Sequence, residues 1–191
     1  MSEKKLRTFI AVTVPDSVRI NLENTAENLI AGLDSRLIRQ INLKNLHLTV
    51  QFIGDTEPDK IPEIIRIIRD LKIEEPVNLQ VTSPGFFLKR NQPAVLWFGI
   101  SDTSSGLHGI HSRLNEELKK SGLNIYSKNF KPHLTVAYIK PGVNPDLLRR
   151  QLDSFKLDYM AFFIREIALF SSILLPAGAR HEVLYSRKIE I

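Results

Sequence analysis

The tetrapeptide His-Leu-Thr-Val occurs twice in this chain. It stands in Asn45-Leu46-His47-Leu48-Thr49-Val50 and again in Lys131-Pro132-His133-Leu134-Thr135-Val136. A repeat inside two strand-like runs points to two related halves, each giving one strand and one His–Thr pair. Successive side chains of a strand point to opposite faces. Leu46, Leu48, Val50 and Phe52 are therefore expected on one face, and His47, Thr49 and Gln51 on the other. In the second copy His133 and Thr135 project together, away from Leu134 and Val136. Two such strands lying near each other across a pseudo-twofold axis would bring two imidazoles and two hydroxyls to one cleft.

The rest of the chain supplies helices and strands to build those halves. Apolar residues at spacings of three and four predict a helix from Asp16 or Ser17, either able to cap it, through Val18, Leu22, Ala26, Leu29 and Leu33. Similar stripes predict helices over 58–71 and 104–121, the latter closed by Gly122, and a short one over 145–155. Short β-branched or alternating runs predict strands at 8–14, 46–53, 77–81, 94–100, 134–139, 159–170 and 183–191. Strands interleaved with helices imply α/β or α+β layers. No linker rich in Gly, Ser or Pro divides the sequence, so residues 1–191 are expected to form a single domain with two lobes.

Composition narrows the function. The 191 residues contain no Cys, which excludes a disulfide scaffold, a thiolate metal site and a Cys nucleophile, and fits a cytoplasmic protein. No apolar run reaches the ~18 residues of a membrane span, and the opening Met1-Ser2-Glu3-Lys4-Lys5 does not read as a signal peptide. Lys and Arg number 26 against 21 Asp and Glu, a net charge of +5 that mildly favours anionic partners. There is no GxxxxGK[ST], GxGxxG or GxSxG motif, so neither an ATP-driven nor an acyl-enzyme mechanism has support.

Two facing histidines suit a reaction that needs a base and an acid together. With a reference pKa of ~6.5, one can be imidazole and the other imidazolium near neutral pH. Threonine hydroxyls can donate to non-bridging phosphate oxygens. The constellation of His47, Thr49, His133 and Thr135 reads as phosphodiester chemistry without metal or cofactor.

The same residues resemble the RNA 2′,3′-cyclic phosphodiesterases, or 2′-5′ RNA ligase-like proteins, of the 2H phosphoesterase superfamily. Supporting segments follow in order: Arg7-Thr8-Phe9-Ile10-Ala11-Val12, Phe52-Ile53-Gly54-Asp55, Gly85-Phe86-Phe87, Pro93-Ala94-Val95-Leu96-Trp97, and late Ser172, Leu174, Gly178 and Ala179. The resemblance implies an α+β, bilobal, pseudo-twofold fold with two antiparallel sheets around a central cleft and helices outside. It implies metal-independent opening of a 2′,3′-cyclic phosphate to a 2′-phosphomonoester, on RNA or oligonucleotide ends, by a monomer. By position His47 would be the acid and His133 the base, with the labels exchangeable, and Thr49 and Thr135 would hold the phosphate. The family often has a basic residue five positions after the second His, where this chain has Tyr138. Arg7, Lys131 and Lys140 are the candidate substrate contacts that would replace it.

Rival readings keep the fold and change the use: 2′-5′ RNA ligation, a cyclic nucleotide or RNA-end binding protein without turnover, or a small cyclic phosphate as substrate. Elsewhere, His108 and His111 stand three apart on a helix, but structural or solvent-facing roles are expected. His181 is expected on the surface, with a nucleotide contact as the lesser reading. Trp97 is assigned to the core, Lys89-Arg90 to a loop after Phe86-Phe87, and Arg149-Arg150 to solvent. Tyr126 is a further candidate for lining the groove.

Overall fold

The computed structural model describes residues 4–190 apart from 91, 124, 126–128, 176 and 177. Tyr126 and the ends Met1–Glu3 and Ile191 therefore lie outside the described residues. Among those described, nine strands and four α-helices follow in the order β1 (Leu6–Thr13), α1 (Asp16–Ile30), β2 (Ile38–Gln40), β3 (His47–Thr56), α2 (Ile61–Asp70), β4 (Asn78–Lys89), β5 (Gln92–Asp102), α3 (Gly106–Lys120), β6 (His133–Ile139), α4 (Pro145–Asp153), β7 (Ala161–Phe163), β8 (Glu166–Leu175) and β9 (Gly178–Lys188).

Every strand pairing is antiparallel, and the order across the sheet is β7-β4-β5-β6-β3-β1-β8-β9, with β2 paired to β6. The join at the middle is narrow. β3 meets β6 through one residue pair, Leu48 with Leu134, so two half-sheets are connected at the two repeats. Reading outward from that join, β3-β1-β8-β9 matches β6-β5-β4-β7, and along the chain β1-α1-β3-α2 echoes β5-α3-β6-α4. This is the α+β, pseudo-twofold arrangement.

Each helix forms where an apolar stripe meets the sheet. In α1, Val18, Leu22, Ala26 and Leu29 are buried, the positions expected from their spacing. Burying Leu22 and Leu29 contributes roughly 1.5–3 kcal/mol each. Neither Asp16 nor Ser17 caps α1: Pro15 occupies that place without a side-chain bond, and Asp16 instead accepts from Arg19 at 2.7 Å. Gly122 does close α3. Its φ of +73° lets its own N–H reach Lys119 O (3.0 Å) and that of Leu123 reach Leu118 O (3.1 Å). Asn144 caps α4 by accepting from the backbone of Asp146 and Leu147, with Pro145 in the first turn.

Two strand expectations are corrected. The run 159–170 is not one strand. β7 joins β4 in one half-sheet, the chain crosses at Ile164-Arg165, and β8 joins β1 in the other. Of the expected loop Lys89-Arg90, Lys89 instead ends β4, which Phe86-Phe87 also belong to, and Arg90 stands in the turn that follows. Pro84 is tolerated there because it lies beyond residues 78–80, which pair with β7, and beyond Val81, whose N–H reaches Met160 O at 2.9 Å, and the register slips between Thr82 and Pro84.

Candidate active site

The two repeats face each other as the alternation requires. In an antiparallel register centred on Leu48 and Leu134, His47 stands across from Thr135 and His133 across from Thr49. Leu48 and Leu134 are fully buried on one face, while all four polar side chains are half-buried on the other and line a cleft of about 470 Å³.

A bulge follows each motif. Ala11 pairs with Thr49 and Ile10 with Gln51, so Val50 is skipped; Trp97 pairs with Thr135 and Leu96 with Ala137, so Val136 is skipped. One extra residue reverses the alternation. Gln51 is consequently buried with the core, and Phe52 turns to the cleft beside His47 and Thr49, the reverse of the simple pattern. Tyr138, five residues after His133 as Phe52 is after His47, turns to the cleft by the same device.

The imidazoles are oriented alike. His47 Nδ1 lies 2.6 Å from Asn45 O and His133 Nδ1 lies 2.7 Å from Lys131 O. A carbonyl only accepts, so each Nδ1 carries the proton and each Nε2 is left for the cleft. The segments that carry these carbonyls are themselves fixed: Asn45 ends a 3-10 turn (Leu43–Asn45) capped by Asn42, and Pro132 O, next to Lys131, accepts from Ile100 N at 3.0 Å. Aromatic walls hold the rings. His47 packs against Phe9 (4.8 Å between centroids) and His181 (5.1 Å, edge-on), and His133 against Phe87 (4.9 Å, edge-on) and Trp97 (6.2 Å).

Burial dominates the electrostatics. It pulls His47 down to about 4, aided by nearby His181 and His133 and opposed by the bond to Asn45. His133 is lowered for the same reason, against its bond to Lys131, and burial also lowers His181. Before substrate arrives both repeat histidines are therefore neutral at pH 7, rather than one neutral and one charged.

The lining holds Arg7, Arg39, Arg180 and no carboxylate. Arg7 lies over the Phe52 ring (5.0 Å) and Arg39 over Tyr138 (4.9 Å), so the two bulged aromatics each carry a guanidinium. Of the sequence candidates, Arg7 reaches the cleft; Lys131 and Lys140 are exposed outside its lining, and Lys140 donates to Arg36 O instead. No sequence pattern marks Arg39 for the cleft, and His181, expected on the surface, stands in the lining as well. Trp97 is corrected from the core to the cleft side, with its ring over Gly85. His108 and His111 flank Phe130, His111 stacked at 4.3 Å, and no group of three His, Asp or Glu able to hold a metal occurs among the described residues. Lys89, at the end of β4, and Arg90, in the turn after it, are exposed away from the cleft, and Arg149 and Arg150 are exposed to solvent, Arg149 over the Phe86 ring.

A sequence profile described as the 2′-5′ RNA ligase superfamily matches residues 22–172, which include both repeats. The chain belongs to the 2′-5′ RNA ligase superfamily. Among relatives within it, the RNA 2′,3′-cyclic phosphodiesterase of Methanocaldococcus jannaschii is 27% identical over 180 residues, covering 94% of this chain and 98% of that one. The protein of the same name from Archaeoglobus fulgidus is 29% identical over 175 residues, covering 91% and 94%. The fold is shared with a crystal structure from Thermus thermophilus (TM-score 0.76, 21% identity, 96% and 97% coverage). It is shared too with E. coli LigT complexed with 3′-AMP (TM-score 0.71, 18% identity, 98% and 99% coverage). No helix among the described residues is long and apolar enough to cross a membrane.

Proposed function

We propose that this chain is a hydrolase that opens 2′,3′-cyclic phosphates at RNA ends to 2′-phosphomonoesters, by acid–base catalysis between its two repeat histidines. The observation that carries the reading is the matched pair of imidazoles, each with Nδ1 tied to a backbone carbonyl and Nε2 toward one carboxylate-free cleft. Relatives named RNA 2′,3′-cyclic phosphodiesterase, aligned over most of both chains, support the substrate.

The phosphate sits between the imidazoles, with the Thr49 and Thr135 hydroxyls donating to its non-bridging oxygens. His133 Nε2 takes a proton from water as the water oxygen bonds to phosphorus. The bond from phosphorus to the 3′ oxygen breaks, and His47 Nε2–H protonates that oxygen. The product is a 2′-phosphomonoester with a free 3′ hydroxyl, and proton exchange with solvent resets both rings. His47 gains its proton on substrate binding, because the phosphate anion offsets the burial that depresses it in the free protein. The pseudo-twofold makes the exchanged assignment geometrically equivalent. Base and acid are both supplied by imidazoles, so no metal is required.

The test is an RNA oligonucleotide ending in 2′,3′-cyclic phosphate, incubated with the protein in EDTA. Conversion to the 2′-phosphate is expected. A 3′-phosphate product, an unchanged end or a requirement for added metal would contradict the reading.

A further inference from the structure

The cleft carries more positive charge than one cyclic phosphate uses. A 2′,3′-cyclic phosphate is a monoanion, and the two threonines and the protonated acid already face it. Arg39 and Arg7 line the same cleft, and neither takes a carboxylate partner among the described residues. Both are exposed, Arg7 over Phe52 and Arg39 over Tyr138, and Arg39 is followed in the lining by Gln40 and the exposed Asn42.

Arg39 is also held in place. Its strand β2 pairs with β6 so that Arg39 lies directly opposite Tyr138, a residue 40% exposed whose ring carries the guanidinium at 4.9 Å. The far end of the side chain approaches the start of β9 in the other half-sheet: a Cβ added at Gly178 would stand 3.0 Å from Arg39 Nη1, and Gly178 has φ +130°. The guanidinium thus bridges the open mouth between the halves. Tyr138 lies three residues beyond Thr135 on β6, about 10 Å at a rise of ~3.3 Å per residue. The guanidinium seated on Tyr138 therefore stands away from the His–Thr pairs within the same cleft, where a second phosphate of the same substrate would lie.

We propose that Arg39, seated on Tyr138, forms a second phosphate subsite that takes the phosphate on the 5′ side of the terminal nucleoside, making RNA ends better substrates than a bare cyclic mononucleotide. This rests on the cyclic phosphodiesterase reading of the same cleft and adds a preference for substrate length. Tyr138 provides the platform: it aims the guanidinium by cation–π contact instead of offering a charge itself.

The experiment compares adenosine 2′,3′-cyclic phosphate with the same compound bearing a 5′-phosphate, which adds the second anion without a second base. The wild-type protein is expected to show at least about tenfold higher kcat/KM on the 5′-phosphorylated compound, equivalent to ~1.4 kcal/mol. Arg39→Ala should collapse that ratio toward one, and Tyr138→Ala should reduce it while Tyr138→Phe keeps it. The ratio should also fall with added salt in the wild type more than in Arg39→Ala. Equal turnover of both compounds by the wild type, or an unchanged ratio in Arg39→Ala, would overturn the subsite and leave the phosphodiesterase reading standing. Turnover of neither compound would overturn both.

Discussion

Acidification is expected to destabilise this protein through imidazoles whose charged form burial penalises, His47 among them. His47 titrates near 6.5 in an unfolded chain and at about 4 in the folded one, where burial penalises its charged form. As pH falls below 6.5 the unfolded state binds the proton first, so stability drops with pH across that window and the loss saturates below about 4. Two-state linkage between those values gives a loss of about 2 kcal/mol at pH 5 and about 3 kcal/mol at pH 4, and almost nothing at pH 7. The perturbation is His47→Gln, which removes the titration and keeps a polar side chain of similar reach. Urea unfolding of wild type and variant at pH 7 and pH 5 provides the assay, because carboxylates and the other histidines titrate in both proteins and largely cancel in the difference. The wild type should lose about 2 kcal/mol more than the variant between the two pH values. Parallel losses would refute the claim that burial holds His47 neutral.

The same shifts predict the rate profile. With both repeat histidines lowered in the free protein, kcat/KM should peak on the acid side of pH 6.5, while kcat, which reports the complex, should hold to higher pH because bound phosphate favours the imidazolium; a kcat/KM optimum above pH 7 would count against it. Thr49→Val and Thr135→Val should each lower kcat/KM by about 10²-fold, the usual loss for one oxyanion donor, with little change in unfolding free energy, and full activity in either would remove the hydroxyl from the site. Gly85→Ala drives a methyl into the Trp97 ring, which packs against His133. Overpacking of this kind costs about 1–3 kcal/mol, so a lower unfolding midpoint and a lower kcat are expected together, and unchanged values for both would contradict the contact.

How much of this could be read beforehand depended on the length of each pattern. The His-x-Thr strands were legible because alternation over four residues already separates His47 and Thr49 from Leu48. The helices were legible because Leu22, Ala26 and Leu29 repeat over several turns. The bulges at Val50 and Val136 were not, since neither carries a Gly or Pro that marks an extra residue, and only pairing with Ala11 and Trp97 creates them. Phe52 and Tyr138 reach the cleft only through those bulges. Arg39 sits on a three-residue strand, too short for any periodicity, and acquires its meaning from pairing with Tyr138. His181 reads as a polar residue in a terminal turn, yet pairing of β9 with β8 brings its ring against His47. Long-range pairing was the missing information in each case.

In the proposed reaction His47 and His133 divide proton donation and proton removal between them. That division is checked by turnover of an RNA 2′,3′-cyclic phosphate end in EDTA by the wild type and by His47→Ala and His133→Ala, with circular dichroism confirming that each variant is folded. Each substitution should lower kcat by about 10²–10⁴-fold, the range for one general acid or base. A folded variant that retains wild-type turnover would show that its histidine is neither the acid nor the base.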